Sequence, residues 1–131
     1  LNNGTPVTTP AQALPWFQAG LHGLDHEEVH LLLLDRRLRP LRYLCHSAGS
    51  ASASVVDVPG ILKAALTNGA TALMIAHNHP SGDRMPSPED LNLTRRLEAG
   101  CQAVGVKLLD HLILAGGSFS SLREMGHIAN W

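Results

Sequence analysis

The chain has 131 residues, 44% of them apolar and 16% charged, with a formal net charge of −1 when its eight histidines are neutral. That length bounds one domain around one core. No apolar run approaches the roughly 20 residues of a membrane span, which excludes a membrane partner, and a near-neutral balance excludes attraction of the whole chain to a polyanion.

The start, LNNGTPVTTPAQ, has neither the basic residues nor the apolar stretch of a secretory signal. Without an initiator methionine it is expected to belong to a trimmed domain or a processed fragment, with residues 1–8 poorly ordered. Cys45 and Cys101 stand far apart with no CxxC spacing. This argues against a disulfide framework and a cysteine-built zinc site, and predicts buried thiols in a reducing, cytoplasmic compartment.

In chain order, Thr9 before Pro10 predicts a helix over about 10–22, which Pro15 would kink or divide. EVHLLLLD, residues 28–35, reads as a buried strand, and 41–46 as its hairpin partner after the turn RRLRP. Asp57 can cap a helix through about Asn68, with Pro59 near its first turn and Gly69 ending it. TALMIAH predicts a central strand. Leu93, Leu97, Cys101 and Val104 recur at helical spacing, so a helix is expected over about 88–103, ended by Gly105. Val106–Ala115 reads as another strand, and SLREMGH as a short last helix. Together these give an α/β or α+β sandwich, a mixed sheet flanked by helices.

Residues 77–90 read HNHPSGDRMPSPED. At a strand end, the period of two turns His77 and His79 to one side, as two nitrogen ligands for one metal require. Asp90 can add an oxygen ligand from the first turn of the next helix, leaving a fourth position for water, as in catalytic zinc sites. A purely local reading stands beside this one: Ser87 as N-cap, Pro88 at N1 and an SxxD capping box account for SPED without any metal.

HxH, then seven residues (Pro80 to Pro86), then SxxD resembles the JAMM motif of the JAB/MPN metalloproteins. AHNHPSG, PSPEDLNLTRRL, LLDHLIL and SLREMG resemble, more narrowly, the RadC family, over about Val7 to the C-terminus. The resemblance implies a cytidine-deaminase-like JAB/MPN fold. It implies Zn2+ held by His77, His79 and Asp90, a glutamate on an early strand as general base, and Ser87 as hydrogen-bond donor to the developing oxyanion. The family spacing from Asp35 selects Glu27 as that base, with Glu28 the alternative. The implied chemistry is hydrolysis of a peptide or isopeptide bond by a zinc-activated water. The metallo-β-lactamase pattern HxHxDH would need an acid and a histidine at Ser81 and Gly82, and has neither.

Asp110 and His111 match the family's DH pair, with Asp110 placed to orient a neighbouring imidazole or else satisfied within its own strand. His22, His26, His30, His46 and His127 match no motif position and read as surface or structural. Arg36, Arg37, Arg39 and Arg42 could touch phosphate or an acidic partner, or form an exposed hairpin turn that discourages edge pairing. The family's label brings a DNA-repair-associated accessory protein or nuclease as an alternative function, and ligand-free MPN domains bring a non-catalytic scaffold. The resemblance brings longer members that carry a helix-hairpin-helix region, and none is expected before Val7 here. Gly60 and Ile61 depart from an expected Arg-Glu pair, which bears on substrate or partner contacts.

Overall fold

The computed structural model describes residues 4–47 and 56–129. Five strands form one mixed sheet in the order β2-β1-β3-β4-β5. These are β1 (Val29–Leu34), β2 (Pro40–Ser47), β3 (Ala72–Asn78), β4 (Lys107–Ala115) and β5 (Ser118–Ser121). Three helices cover it: α1 (Pro10–Leu21), α2 (Val58–Thr67) and α3 (Pro88–Val104).

All six β1 residues and all seven of β3 are buried, because both faces of these central strands are covered. Side-chain alternation then sorts the core in two. Leu31, Leu33, Leu73 and Ile75 pack with Ile61, Leu93 and Leu97 of α2 and α3. Leu32, Leu34, Met74 and Ala76 pack with Ala13, Phe17 and Leu21 of α1. Ile61, one of the two positions that depart from the family pattern, is therefore a core residue.

Strands β3 and β4 are parallel, joined by α3 as the crossover, and every other pairing is antiparallel. α3 starts on a capping box, with Ser87 Oγ accepting from the Asp90 amide while the Asp90 carboxylate accepts from the Ser87 amide, and it ends on Gly105 at φ 77°. The β1–β2 turn closes on Asp35, whose Oδ1 accepts from the amides of Arg37 and Arg39.

Three expectations change, and one strand appears that the sequence did not indicate. α1 runs unbroken through Pro15, from a Thr9 cap whose side chain accepts from the Gln12 amide. Val7, inside the stretch expected to be loose, is buried, and its amide donates to the Leu38 carbonyl at 2.8 Å. Residues 118–121 form a short edge strand returning from Gly116-Gly117, both at positive φ. SLREMGH is a chain of turns rather than a helix: the Met125 amide donates to the Ser121 carbonyl, the His127 amide to Leu122, and Gly126 sits at φ 88°.

Candidate metal centre

β3 brings His77 to the C-terminal end of the sheet, opposite Val29 of β1 and Ile113 of β4. By alternation its side chain follows Leu73 and Ile75 toward α3, and it is 1% exposed. His79 stands just past the strand, its amide donating to the Leu114 carbonyl at 2.8 Å. The loop then folds back on it. Gly82, at φ 88°, donates to the His79 carbonyl, and the Asp83 carbonyl meets His79 Nδ1 at 2.7 Å. Asp90, in the first turn of α3, turns one oxygen to each imidazole, with Oδ1 3.1 Å from His77 Nε2 and Oδ2 3.1 Å from His79 Nε2.

Proton accounting shows what these atoms require. A backbone carbonyl only accepts, so His79 Nδ1 is the donor toward Asp83 and the neutral ring keeps a bare lone pair on Nε2. For His77 the same conclusion comes through two neighbours. Thr94 Oγ1 donates its one proton to the Asp90 carbonyl at 2.8 Å, so its 2.7 Å contact with His111 Nδ1 takes the imidazole's proton. Burial holds His111 well below the ordinary histidine range, hence neutral, and its Nε2 is an acceptor. The 2.8 Å contact between His111 Nε2 and His77 Nδ1 is therefore donated by His77. His77 Nε2 is left bare as well.

Two imidazole lone pairs thus stand 3.0 Å apart, each with a carboxylate oxygen at 3.1 Å. Such a group repels itself unless a cation stands among its members. The donors fit a divalent metal: nitrogen and oxygen ligands converge on one point, with the outer nitrogen of each imidazole already taken. Without metal, a proton meets the same demand. The hydrogen bond with Asp90 raises His79 above the usual histidine value despite burial. Burial alone would raise the Asp90 carboxyl, but its contacts with the His77 and His79 rings, once a proton is shared among them, and with the Ser87 amide outweigh it and hold it well below the usual range.

The two candidate glutamates lie on opposite sides of the sheet. Glu27 Oε1 is 3.9 Å from His79 Nε2, and ligand atoms of Glu27, His77 and His79 lie within 4.8 Å of one another. Glu28 turns toward the α1 face, between His26 and His30. Asn78, the middle residue of HNH, was not singled out in the sequence, yet its side chain sets this segment. Its Oδ1 accepts from the Glu28 amide and its Nδ2 donates to the His26 carbonyl, both at 2.9 Å, continuing the ladder beyond the last β1–β3 backbone pair. Thr94 was missed too; its only signal was a threonine four residues after Asp90, placed to bond back to that carbonyl.

Ser87 is half-buried beside Asp90, and because its oxygen accepts from the Asp90 amide at 3.1 Å, its own proton can turn elsewhere. Asp110 contacts backbone and serine rather than an imidazole. Its Oδ1 accepts from the amides of His111 and Arg123, and its Oδ2 accepts from Ser121 Oγ. The carboxylate thereby ties β4 to the turns after β5. Of the arginines, Arg39 pairs with Asp35 at 3.1 Å and Arg42 reaches Asn68 at 3.5 Å, while Arg36 and Arg37 are exposed in the turn. An open groove of about 360 Å³ adjoins His79, between Leu21 and Leu24 on one side and Leu114 and Gly116 on the other. No helix among the described residues is long and apolar enough to cross a membrane.

Comparison with known proteins identifies the family of this chain. A family profile described as a RadC-like JAB domain matches residues 7–127. A UPF0758 protein of Trichormus variabilis and one of Nostoc are each 40% identical over 126 residues, covering 96% of this chain and 52% of theirs. A third, from Chloroflexus aggregans, is 33% identical over 121 residues, 92% of this chain and 53% of its own. The chain spans about half the length of these relatives.

Proposed function

Because the chain belongs to the RadC-like JAB domain family, we propose that it is a zinc-dependent hydrolase of a peptide or isopeptide bond. The observation that carries this reading is the convergence of two bare imidazole nitrogens and a buried carboxylate on one point, with Glu27 beside them. His77, His79 and Asp90 would hold Zn2+, which when bound supplies Lewis-acid character and brings the pKa of water toward ~7.

The remaining work falls to the chain. Glu27, half-exposed at the rim, accepts a proton from the attacking water and returns it to the leaving nitrogen. Ser87 donates its hydroxyl proton to the carbonyl oxygen as charge develops there. The His111–Thr94 pair holds His77 in the tautomer that presents Nε2. The groove beside His79 is a place for an extended segment of substrate to lie.

Family membership also brings the reading of a DNA-associated accessory protein. Support for it is thinner here, since Arg39 and Arg42 are already engaged within the fold and only Arg36 and Arg37 project from the turn.

The test is metal content per chain, for protein purified without added metal and after zinc loading, beside His77→Ala and Asp90→Ala. Zinc content that falls by about one ion per chain in both variants supports the reading. A wild-type chain whose zinc content is unaffected by either change leaves SPED as a helix cap and overturns it.

A further inference from the structure

The other face of β1 carries a second convergence of ligand atoms. Glu28, His30 and Cys45 each offer an atom within 4.8 Å of the others. His30 Nε2 is 2.8 Å from Glu28 Oε1, Cys45 Sγ is 3.6 Å from the same oxygen, and His26 Nε2 is 2.8 Å from Glu28 Oε2. Cys45 is exposed, contrary to the expectation of a buried thiol. It faces His30 because of a register shift: the pairing Val29↔Ser47 would continue to His30↔His46, but the irregularity there makes it His30↔Cys45. Direct cross-strand neighbours share a face.

The outer nitrogens of both histidines are already occupied. His26 Nδ1 is 2.9 Å from Asp25 Oδ1, and His30 Nδ1 contacts the Tyr43 hydroxyl, so each ring turns Nε2 inward on Glu28. This is how proteins orient metal-binding imidazoles, with a carboxylate or another polar group on the far nitrogen. Gly20 of α1 keeps space for the arrangement, since a Cβ there would stand 2.7 Å from His30 Nδ1.

We infer that Glu28, His30 and Cys45 form a second metal site, on the sheet face opposite the HxH motif, for a zinc-like divalent ion, with His26 holding the other oxygen of the Glu28 carboxylate in place. An imidazole, a thiolate and a carboxylate are borderline-soft donors that suit zinc, with a fourth position left to water. A tetrahedral ion at ~2.0 Å from nitrogen and oxygen and ~2.3 Å from sulfur separates its ligands by roughly 3.3–3.8 Å. The Cys45–Glu28 spacing already matches, and the His30–Glu28 contact would open by about half an ångström, which side chains at the rim of the sheet can supply. Binding releases the thiol proton and leaves the thiolate as ligand.

The sulfur makes the test independent of the motif, which has none. The chain is loaded with cobalt(II), and the thiolate-to-cobalt charge-transfer absorption in the near ultraviolet is recorded. It is expected in wild type, in Asp90→Ala and in Cys101→Ser, and absent in Cys45→Ser, whose zinc content falls by one ion per chain. His26→Ala, an exposed change, is expected to weaken cobalt binding about tenfold. No thiolate band in wild type under excess cobalt, or a band that survives Cys45→Ser, overturns the site. Metal lost in Asp90→Ala without any thiolate band would support the motif and sink this second site. A band without Asp90-dependent metal would do the reverse.

Discussion

Glu27 and Glu28 are neighbours in the chain and serve two clusters that differ in how they are held. On the α3 side, His77, Asp90, Thr94 and His111 are 1% exposed or less, and the ring protons of His77 and His111 are each fixed by a buried acceptor. On the α1 side, His26 and Cys45 are open to solvent, and Asp25 on the far nitrogen of His26 is almost fully exposed, so water can take the place of any single contact. Dry surroundings make the motif cluster sensitive to each hydrogen bond, because an unpaired buried group finds no substitute. The wet cluster depends on how many ligands it gathers more than on any one of them.

Turnover should separate the two most strongly. Glu27→Gln keeps the shape of the side chain and removes the proton acceptor, so metal content should stay at the wild-type level while cleavage falls by about 10²–10⁴-fold. A screen of peptide and isopeptide substrates, followed by kinetics on whichever is cleaved, checks it. Cleavage as fast as wild type would remove Glu27 from the proposed chemistry.

Asn78 joins the two regions and offers a way to disturb both. Its side chain, 6% exposed, is the bond partner of the Glu28 amide and the His26 carbonyl. Asn78→Ala should lower stability by about 2–4 kcal/mol through two part-buried backbone groups left to find water. It should also weaken the thiolate band and slow cleavage together, since Glu27 lies between the two anchored residues. Urea unfolding measures the first effect. Loss of stability with neither site disturbed would mean that the segment holds its course without the amide.

Thr94→Val acts on one side only. The methyl group replaces the hydroxyl at nearly constant volume, and His111 Nδ1 loses the acceptor that fixes its proton. His111 can then present a proton on Nε2 toward His77, and His77 Nε2 no longer keeps its bare lone pair. Zinc affinity at the motif should fall about 10–100-fold. The cobalt–thiolate band should stay unchanged, which a titration followed at both signals would establish.

The difference in legibility between the clusters follows from how each is assembled. His77, His79, Ser87 and Asp90 fall within fourteen consecutive residues, 77 to 90, on one strand end, one loop and one capped helix. Their spacing could therefore put them forward as candidates, with the role of Ser87 coming from the resemblance to the family motif. Glu28, His30 and Cys45 meet through an irregular hairpin register, and an uninterrupted ladder would have put His46 in place of Cys45. No spacing rule carries that information. The sheet core was equally plain, since β1 and β3 are unbroken apolar runs, whereas the Ser-rich β5 has little intrinsic preference for a strand and is held by pairing with β4. Of the two readings left open for Asp110, the structure shows the one in which it is satisfied by backbone and serine, and the reason is again one of faces. A carboxylate beside a histidine in sequence points to the opposite face of a strand, so it could reach the His111 amide but not the imidazole.

The smallest expected effect is a slope in stability against pH, and its sign depends on whether metal is present. In the metal-free chain His79 titrates above the ordinary histidine value, chiefly through its hydrogen bond with Asp90. The folded chain then keeps a proton that the unfolded chain begins to release near pH ~6.5. The stabilisation is complete below that pH and is lost as pH rises through the raised native value. His26 is raised as well, first by Asp25 and then by Glu28, but it is exposed and screened by water, so its share is small. Thermal unfolding with a chelator should therefore show a melting temperature that falls by a few degrees from about pH 6 to about pH 8.5. Zinc competes with that proton for the same nitrogen, so the loaded chain should gain stability over the same interval. His79→Gln should flatten most of the metal-free slope. A slope that persisted undiminished would assign it to the exposed cluster and reverse the ranking of the two regions.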